Sequence, residues 1–195
     1  YKDNSAEAAY PSVFTRHPDS LVGHNEPIVR PPESAQLDYE GEIALIIGKP
    51  GRRIPKERWM EHVAGLACLN EGTIRDWLRH SKFNVTPGKN FVATGSVGPW
   101  MVSADEFKRF DDIALTTRVN GEMKQSATTG QMIFGVDELI EWASRWMTLE
   151  PGDIISTGTP SGVGSASGTF LKPGDVVEVE IEKIGKIRNE VVKAR

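Results

Sequence analysis

The run Tyr39-Glu40-Gly41-Glu42-Ile43-Ala44-Leu45-Ile46-Ile47 constrains this chain more than any other stretch. Tyr39, Ile43, Leu45 and Ile47 alternate with Glu40, Glu42, Ala44 and Ile46, the two-residue period of a strand, and predict one over 38–49. Alternation puts Glu40 and Glu42 side by side on one face. That face also carries Ala44 and Ile46 and the opposite face is apolar, so the strand reads as buried on both sides. Two carboxylates so placed repel, and buried ones need a partner. A hard divalent cation, Mg²⁺ or Mn²⁺, takes oxygen ligands and would serve. The competing reading is a solvated face, as Glu178, Glu180 and Glu182 present near the C-terminus.

The 195 residues fit a single domain, 1–195, with strand signals outnumbering helices: an α+β, β-rich fold class. A net charge of -4 argues against a dedicated nucleic-acid binder. The single cysteine, Cys68, excludes a disulfide framework and multi-cysteine zinc sites, and reads as a small buried apolar residue. The cytoplasm is the default compartment. The longest purely apolar run, Ile43 to Ile47, is far too short to span a membrane. The first residue is Tyr1 rather than Met, and further sequence is expected before it.

Pro11, Pro18, Pro27, Pro31 and Pro32 make the first 37 residues loops and edge strands, with room for a short helix over 4–9. Trp59, Met60, Val63 and Leu66 follow a helical period and predict a helix over 56–67, with Pro55 in its first turn. A second is predicted over 73–81, capped by Thr73, and a third over 137–148, capped by Asp137. Asn120-Gly121 after Leu115–Val119 signals a two-residue hairpin. Leu149-Glu-Pro-Gly-Asp153 and Leu171-Lys-Pro-Gly-Asp175 are turns that launch strands, the last predicted over 176–184.

Further chemistry-bearing residues are fewer. Glu71 lies between the first two predicted helices and offers a third metal oxygen, with Asp76 as its competitor; sequence alone does not choose. Lys89, in Thr86-Pro-Gly-Lys89-Asn-Phe91, is placed to hold a carboxylate or enolate in a cleft. The Gly-rich stretch 158–168 lacks the Gly-Lys-Ser/Thr ending of a phosphate loop, and reads as a flexible loop whose Thr159 hydroxyl and backbone N–H groups bind an anion. His17, His24, His62 and His80 show no ligand spacing.

Together these segments resemble the fumarylacetoacetate hydrolase superfamily, its acylpyruvase and 2-hydroxyhepta-2,4-diene-1,7-dioate isomerase-like branch. The resemblance is carried by Leu37-Asp-Tyr-Glu-Gly-Glu-Ile-Ala-Leu-Ile-Ile-Gly-Lys49 and Ile155-Ser-Thr-Gly-Thr-Pro-Ser-Gly-Val-Gly164. Thr73-Ile-Arg-Asp76, Gly88-Lys89-Asn-Phe91 and Arg118-Val-Asn-Gly121 follow in the family's order. It implies mixed sheets rolled around a core, a homodimer, and chemistry on small 2-oxo acids. It implies Mg²⁺ or Mn²⁺ on Glu40, Glu42 and Glu71, where the family usually has Asp at the third place. It implies Lys89 as the active-site lysine and Arg16, Arg75 and Thr159 at the substrate. Hydrolytic members carry Tyr-x-Asp-His-x-x-Glu in a lid helix whose His and Glu activate water. Here the segment reads Tyr1-Lys-Asp-Asn4-Ser-Ala-Glu7, with Asn4 in place of His. Asn takes no proton at neutral pH. The family's commonest activity, acylpyruvate hydrolysis, is the first expectation. Decarboxylation or isomerisation of 2-oxo or 2-hydroxymuconate-type diacids of aromatic catabolism follows, and then a weakly catalytic oxo-acid-binding protein.

Overall fold

The computed structural model describes residues 9–80 and 84–194. Its strands are β1 (Leu21–Val22), β2 (Ile28–Arg30), β3 (Leu37–Asp38), β4 (Gly41–Ile47), β5 (Val63–Asn70) and β6 (Thr73–Ile74). There follow β7 (Gly95–Ser103), β8 (Ala114–Val119), β9 (Glu122–Thr128), β10 (Ile154–Ser156), β11 (Val176–Ile181) and β12 (Gly185–Lys193). The α-helices are α1 (Thr86–Lys89), α2 (Val136–Trp146) and α3 (Gly164–Ser167). One five-stranded sheet runs β1-β7-β5-β4-β10 and a second runs β2-β12-β11-β8-β9, while β3 and β6 pair separately. The sheets are mixed, with β1–β7 and β2–β12 parallel and the other pairs antiparallel. This is the β-rich α+β architecture expected from the sequence.

The two sheets enclose the main core. Ile43, Leu45 and Ile47 of β4 meet Val179 and Ile181 of β11 and Ile187 of β12, and Ile140 of α2 closes one side. The even residues of β4 turn the other way. Ala44 joins Ala67 and Leu69 in a separate small cluster, and Glu42 and Glu40 continue that face. The period of two thus splits β4 between a core face and a site face.

Several predicted elements are corrected. The strand expected over 38–49 runs only from Gly41 to Ile47, with Leu37–Asp38 a separate strand. The helix expected over 56–67 is a 3₁₀ turn over Lys56–His62, and Val63 and Leu66 begin the central strand β5. Almost every β5 residue is buried, so its apolar run carries no period and the chance spacing of Trp59, Met60, Val63 and Leu66 imitated a helix. The helix expected over 73–81 is β6 followed by a 3₁₀ turn, Arg75–Arg79. Thr73 is a strand residue, not a cap: its hydroxyl donates to the Glu71 carbonyl. Helix α2 forms one residue earlier than expected, capped at Gly135, whose N–H donates to Glu138 at 3.1 Å, and Asp137 lies inside its first turn. Strand β11 ends at Ile181, and β12 and β7 were not anticipated. The Asn120-Gly121 hairpin joins β8 to β9 with positive φ at both residues, and both Pro-Gly turns precede strands. Cys68 is fully buried, and burial pushes its thiol up to about 12. The helix expected over 4–9 falls almost wholly outside the described residues.

The second sheet comes close to the first at Gly41. A Cβ there would lie 2.0 Å from Thr117 Oγ1 in the second sheet. Gly41→Ala is therefore expected to destabilise the protein by about 1–3 kcal/mol, the usual cost of overpacking. A thermal melt should show Tm falling by several degrees, and an unchanged Tm would mean the sheets can part there freely.

Candidate metal centre

The register of β4 against β5 builds the site. Gly41 pairs with Asn70, so Glu40 and Glu71 face each other one rung further on, joined by Glu71 N–H to the Glu40 carbonyl at 2.8 Å. Glu42 projects from the same face as Glu40. Carboxylate oxygens of Glu40, Glu42 and Glu71 all lie within 4.8 Å of one another, and all three residues are buried. Asp76, the competitor for the third position, instead accepts a hydrogen bond from Ser34 at 2.6 Å.

Three cations enter this cluster from different elements. Lys89, at the end of α1, has its Nζ 2.7 Å from Glu40, 2.6 Å from Glu71 and 2.8 Å from Thr73 Oγ1, so all three of its protons are engaged. Its ammonium also lies 4.8 Å from the Phe14 ring centroid. Arg75 donates to Asp38 at 2.7 Å and lies 2.5 Å from Glu40. Arg16 donates to Glu71 and the Gly72 carbonyl at 3.0 Å, and its other three donors go to Ser20 and Thr94. All five donors of Arg16 thus go to the protein, and its guanidinium holds Glu71 in place.

Electrostatics divide the three glutamates. Burial pushes Glu40 up, but Lys89 and Arg75 outweigh it and hold the carboxyl at about 2. Burial and then Glu40 push Glu42 up to about 7, against hydrogen bonds from Ser156 and the Gly158 N–H. Burial and then Glu42 push Glu71 up to about 8 despite Lys89. Burial works against the charge of Lys89, yet Glu40 and Glu71 raise it above an ordinary lysine.

These residues fit a hard divalent cation. They supply three convergent carboxylates, and burial with their mutual repulsion leaves two of them reluctant to ionise despite the resident ammonium. A divalent ion would relieve that repulsion through oxygen ligands alone, as Mg²⁺ and Mn²⁺ prefer.

The Gly-rich segment is stitched down rather than loose, which corrects the flexible-loop expectation. Thr157 donates to the Ile43 carbonyl, Gly158 N–H to Glu42, and Thr159 Oγ1 to the Gly41 carbonyl at 3.0 Å. Tyr39 donates to the Gly162 carbonyl at 2.9 Å. Asp38, with no exposed surface, accepts from the N–H groups of Gly164 and Ser165. The Thr159 hydroxyl proton is thus committed within the protein. Asn4 and Glu7 lie outside the described residues. Sequence reasoning missed Asp38 and Thr73; both stood inside quoted motifs, but nothing in their spacing distinguished them from surface residues.

Without a divalent cation, Glu42 and Glu71 bind protons more tightly in the fold than in the unfolded chain. That stabilises the fold fully below the ordinary carboxylate value of 4.5 and is lost as pH rises through about 7 and about 8. Glu40, held near 2, acts oppositely: its contribution is present above 4.5 and lost on acidification. In a chelator, Tm is expected to fall between about pH 5.5 and 8.5, and saturating Mg²⁺ should flatten or reverse the slope. Identical melting profiles with and without Mg²⁺ would exclude the metal assignment.

Residues 2–192 match the family model described as fumarylacetoacetate (FAA) hydrolase C-terminal. The chain is 42% identical over 203 residues to oxaloacetate tautomerase YisK of Bacillus subtilis, covering 98% of this chain and 66% of that protein. The fumarylacetoacetate hydrolase structure from Exiguobacterium antarcticum superposes with a TM-score of 0.91 at 41% identity, covering 100% of this chain and 69% of that one. The 2-hydroxyhepta-2,4-diene-1,7-dioate isomerase structure from Mycobacterium marinum gives 0.88 at 36% identity, covering 96% and 71%. The chain spans 58–66% of the length of the curated relatives it matches. The described residues contain no helix long and apolar enough to cross a membrane. With its Glu-Gly-Glu strand, its facing Glu71 and its buried lysine, the chain belongs to the fumarylacetoacetate hydrolase C-terminal family.

Proposed function

We propose that the chain is the catalytic domain of a divalent-metal-dependent enzyme that enolises a short 2-oxo diacid. Keto–enol tautomerisation of oxaloacetate is its simplest reaction. The observation that carries this reading is the buried Lys89 ammonium between Glu40 and Glu71, in a cluster into which no histidine ring hydrogen-bonds among the described residues.

Moving a proton from the carbon beside a ketone leaves negative charge on the ketone oxygen, and fixed positive charge nearby lowers that barrier. A divalent cation held by Glu40, Glu42 and Glu71 would supply one such charge as a Lewis acid. Lys89 supplies another, because its two glutamates keep it protonated at neutral pH. Exchanging one of its carboxylate contacts for the substrate oxygen would bring an ammonium proton to the charge as it develops. Asp38, Glu40, Glu42 and Glu71 face Arg16, Arg75 and Lys89, so once all are ionised four carboxylates outnumber three cations. One divalent ion reverses the balance and favours an anionic substrate. Arg75 is the most exposed of the three cations, at 18% of its side chain, and is best placed to meet a substrate carboxylate.

Tautomerisation requires proton transfer but no activated water. Acylpyruvate hydrolysis requires a base for water, and Asn4 stands where hydrolytic relatives carry His. The names of the Bacillus and Mycobacterium marinum relatives, a tautomerase and an isomerase, point the same way.

Mg²⁺-loaded protein is expected to accelerate enol–keto exchange of oxaloacetate, followed by ultraviolet absorbance of the enol, and a chelator should abolish the effect. Glu42→Gln should cost more than the roughly 10–100-fold typical of losing an outer-shell metal partner. Lys89→Met should lower kcat more than it changes KM. Acetate and pyruvate released from acetylpyruvate, with no tautomerase activity, would make the enzyme a hydrolase instead.

A further inference from the structure

Gln125 lies in the middle of β9, only 1% exposed, in the second sheet and outside every motif that defines the site. Its amide nevertheless makes three hydrogen bonds, all into the site. Oε1 accepts the Gly41 N–H at 2.9 Å, and Nε2 donates to Thr159 Oγ1 and to the Pro160 carbonyl, each at 2.9 Å. The amide has only one workable orientation, because Gly41 offers a donor and Pro160 an acceptor. Gly41 is the residue between Glu40 and Glu42. Its N–H is taken by Gln125 and its carbonyl by Thr159, which Gln125 also holds. Thr117, the cross-strand partner of Gln125, sits where a side chain on residue 41 would have to go.

We propose that Gln125 is a positioning residue. From the β8–β9 hairpin it locks the Glu40-Gly41-Glu42 backbone to the Thr159 hydroxyl and the Pro160 carbonyl, and so sets the distance between the metal ligands and the substrate loop. Its two ends divide the work: Oε1 fixes the strand that bears the ligands, and Nε2 fixes the loop. The proposal rests on reading Glu40 and Glu42 as metal ligands.

The test uses the whole chain and two substitutions. Gln125→Met keeps the bulk and removes all three hydrogen bonds. Gln125→Glu keeps an acceptor for Gly41 and, as the carboxylate, removes both donors, so its kinetics and titrations are run at alkaline pH. Mn²⁺ affinity is read by isothermal titration calorimetry, KM and kcat with oxaloacetate, and stability by Tm. The kinetics are run well below the melting transition. Q125M is expected to weaken Mn²⁺ binding about tenfold, the lower end for an outer-shell partner, and to raise KM. Q125E should bind Mn²⁺ within about threefold of the wild type while KM stays raised, because only the loop contacts are lost. A Q125M protein with lowered Tm but unchanged Mn²⁺ affinity and KM would show a purely structural residue and overturn the proposal. Should Q125M not fold, Q125E decides alone: raised KM with retained affinity supports the proposal, and no change in either, or equal loss of both, overturns it. A wild-type protein that binds no Mn²⁺ would instead remove the metal reading, and this proposal with it, a result the Gln125 variants cannot imitate.

Discussion

One rung of one strand pair sets the rest of the structure its problem. The register that pairs Gly41 with Asn70 forces Glu40 and Glu71 into opposition, with Glu42 beside them. Like charges facing each other across a sheet destabilise it, and burial multiplies the cost. The chain answers with cations from three separate elements: Arg16 ahead of β1, Arg75 after β6 and Lys89 at the end of α1. Each is held on its other side by unrelated groups, Arg16 by Ser20 and Thr94, Arg75 by Asp38, and Lys89 by Thr73. Even so, burial first and the neighbouring carboxylates second keep Glu42 and Glu71 above the ordinary carboxylate range. A site left short of positive charge is poised for a cation and costs stability without one.

The Gly-rich segment answers a second demand. Binding and catalytic groups have to be fixed to within a fraction of an ångström, and loops seldom give that unless strapped to regular elements. Between Thr157 and Ser165 the segment is tied to Ile43, Glu42, Gly41, Tyr39 and Asp38 and to Gln125. Two glycines here serve close approach: a Cβ on Gly162 would meet the Lys124 carbonyl at 2.1 Å, and one on Gly164 the Thr169 carbonyl at 2.1 Å. A glycine-rich composition suggested mobility, whereas the hydrogen bonds make the segment an extension of β4.

How far the sequence could be read followed from where periodicity survives burial. The Asn120-Gly121 hairpin and α2 expose one turn or one face, so their patterns are intact and their placement was legible; β4 is buried on both faces, and it was the acids among its apolar residues that marked it. Strand β5 is buried on both faces and β7 has no alternation, so neither carried a signal. The glutamate pair was visible because acids within an apolar strand break a rule. Glu71 and Asp76 stayed indistinguishable, because the register that separates them is a long-range property of two strands. Gln125 was invisible for the same reason: nothing local marks a polar residue in a hairpin as buried until the opposite sheet is in place.

Strand β4 shows how stability and chemistry share one segment without interfering. Ile43, Leu45 and Ile47 pack the core between the sheets, and Glu40 and Glu42 face away from it. A one-residue slip would exchange the two sets, burying acids in the core and presenting isoleucines at the site, so core packing itself enforces the placement of the glutamates. Only at residue 41 do the two roles meet, where a core-facing position lies between two site-facing ones. Glycine there lets the second sheet come close enough for Thr117 to occupy the missing side chain's space and for Gln125 to reach the backbone. The contact that ties the core to the site is therefore made to a peptide group, and it depends on residue 41 having no side chain at all.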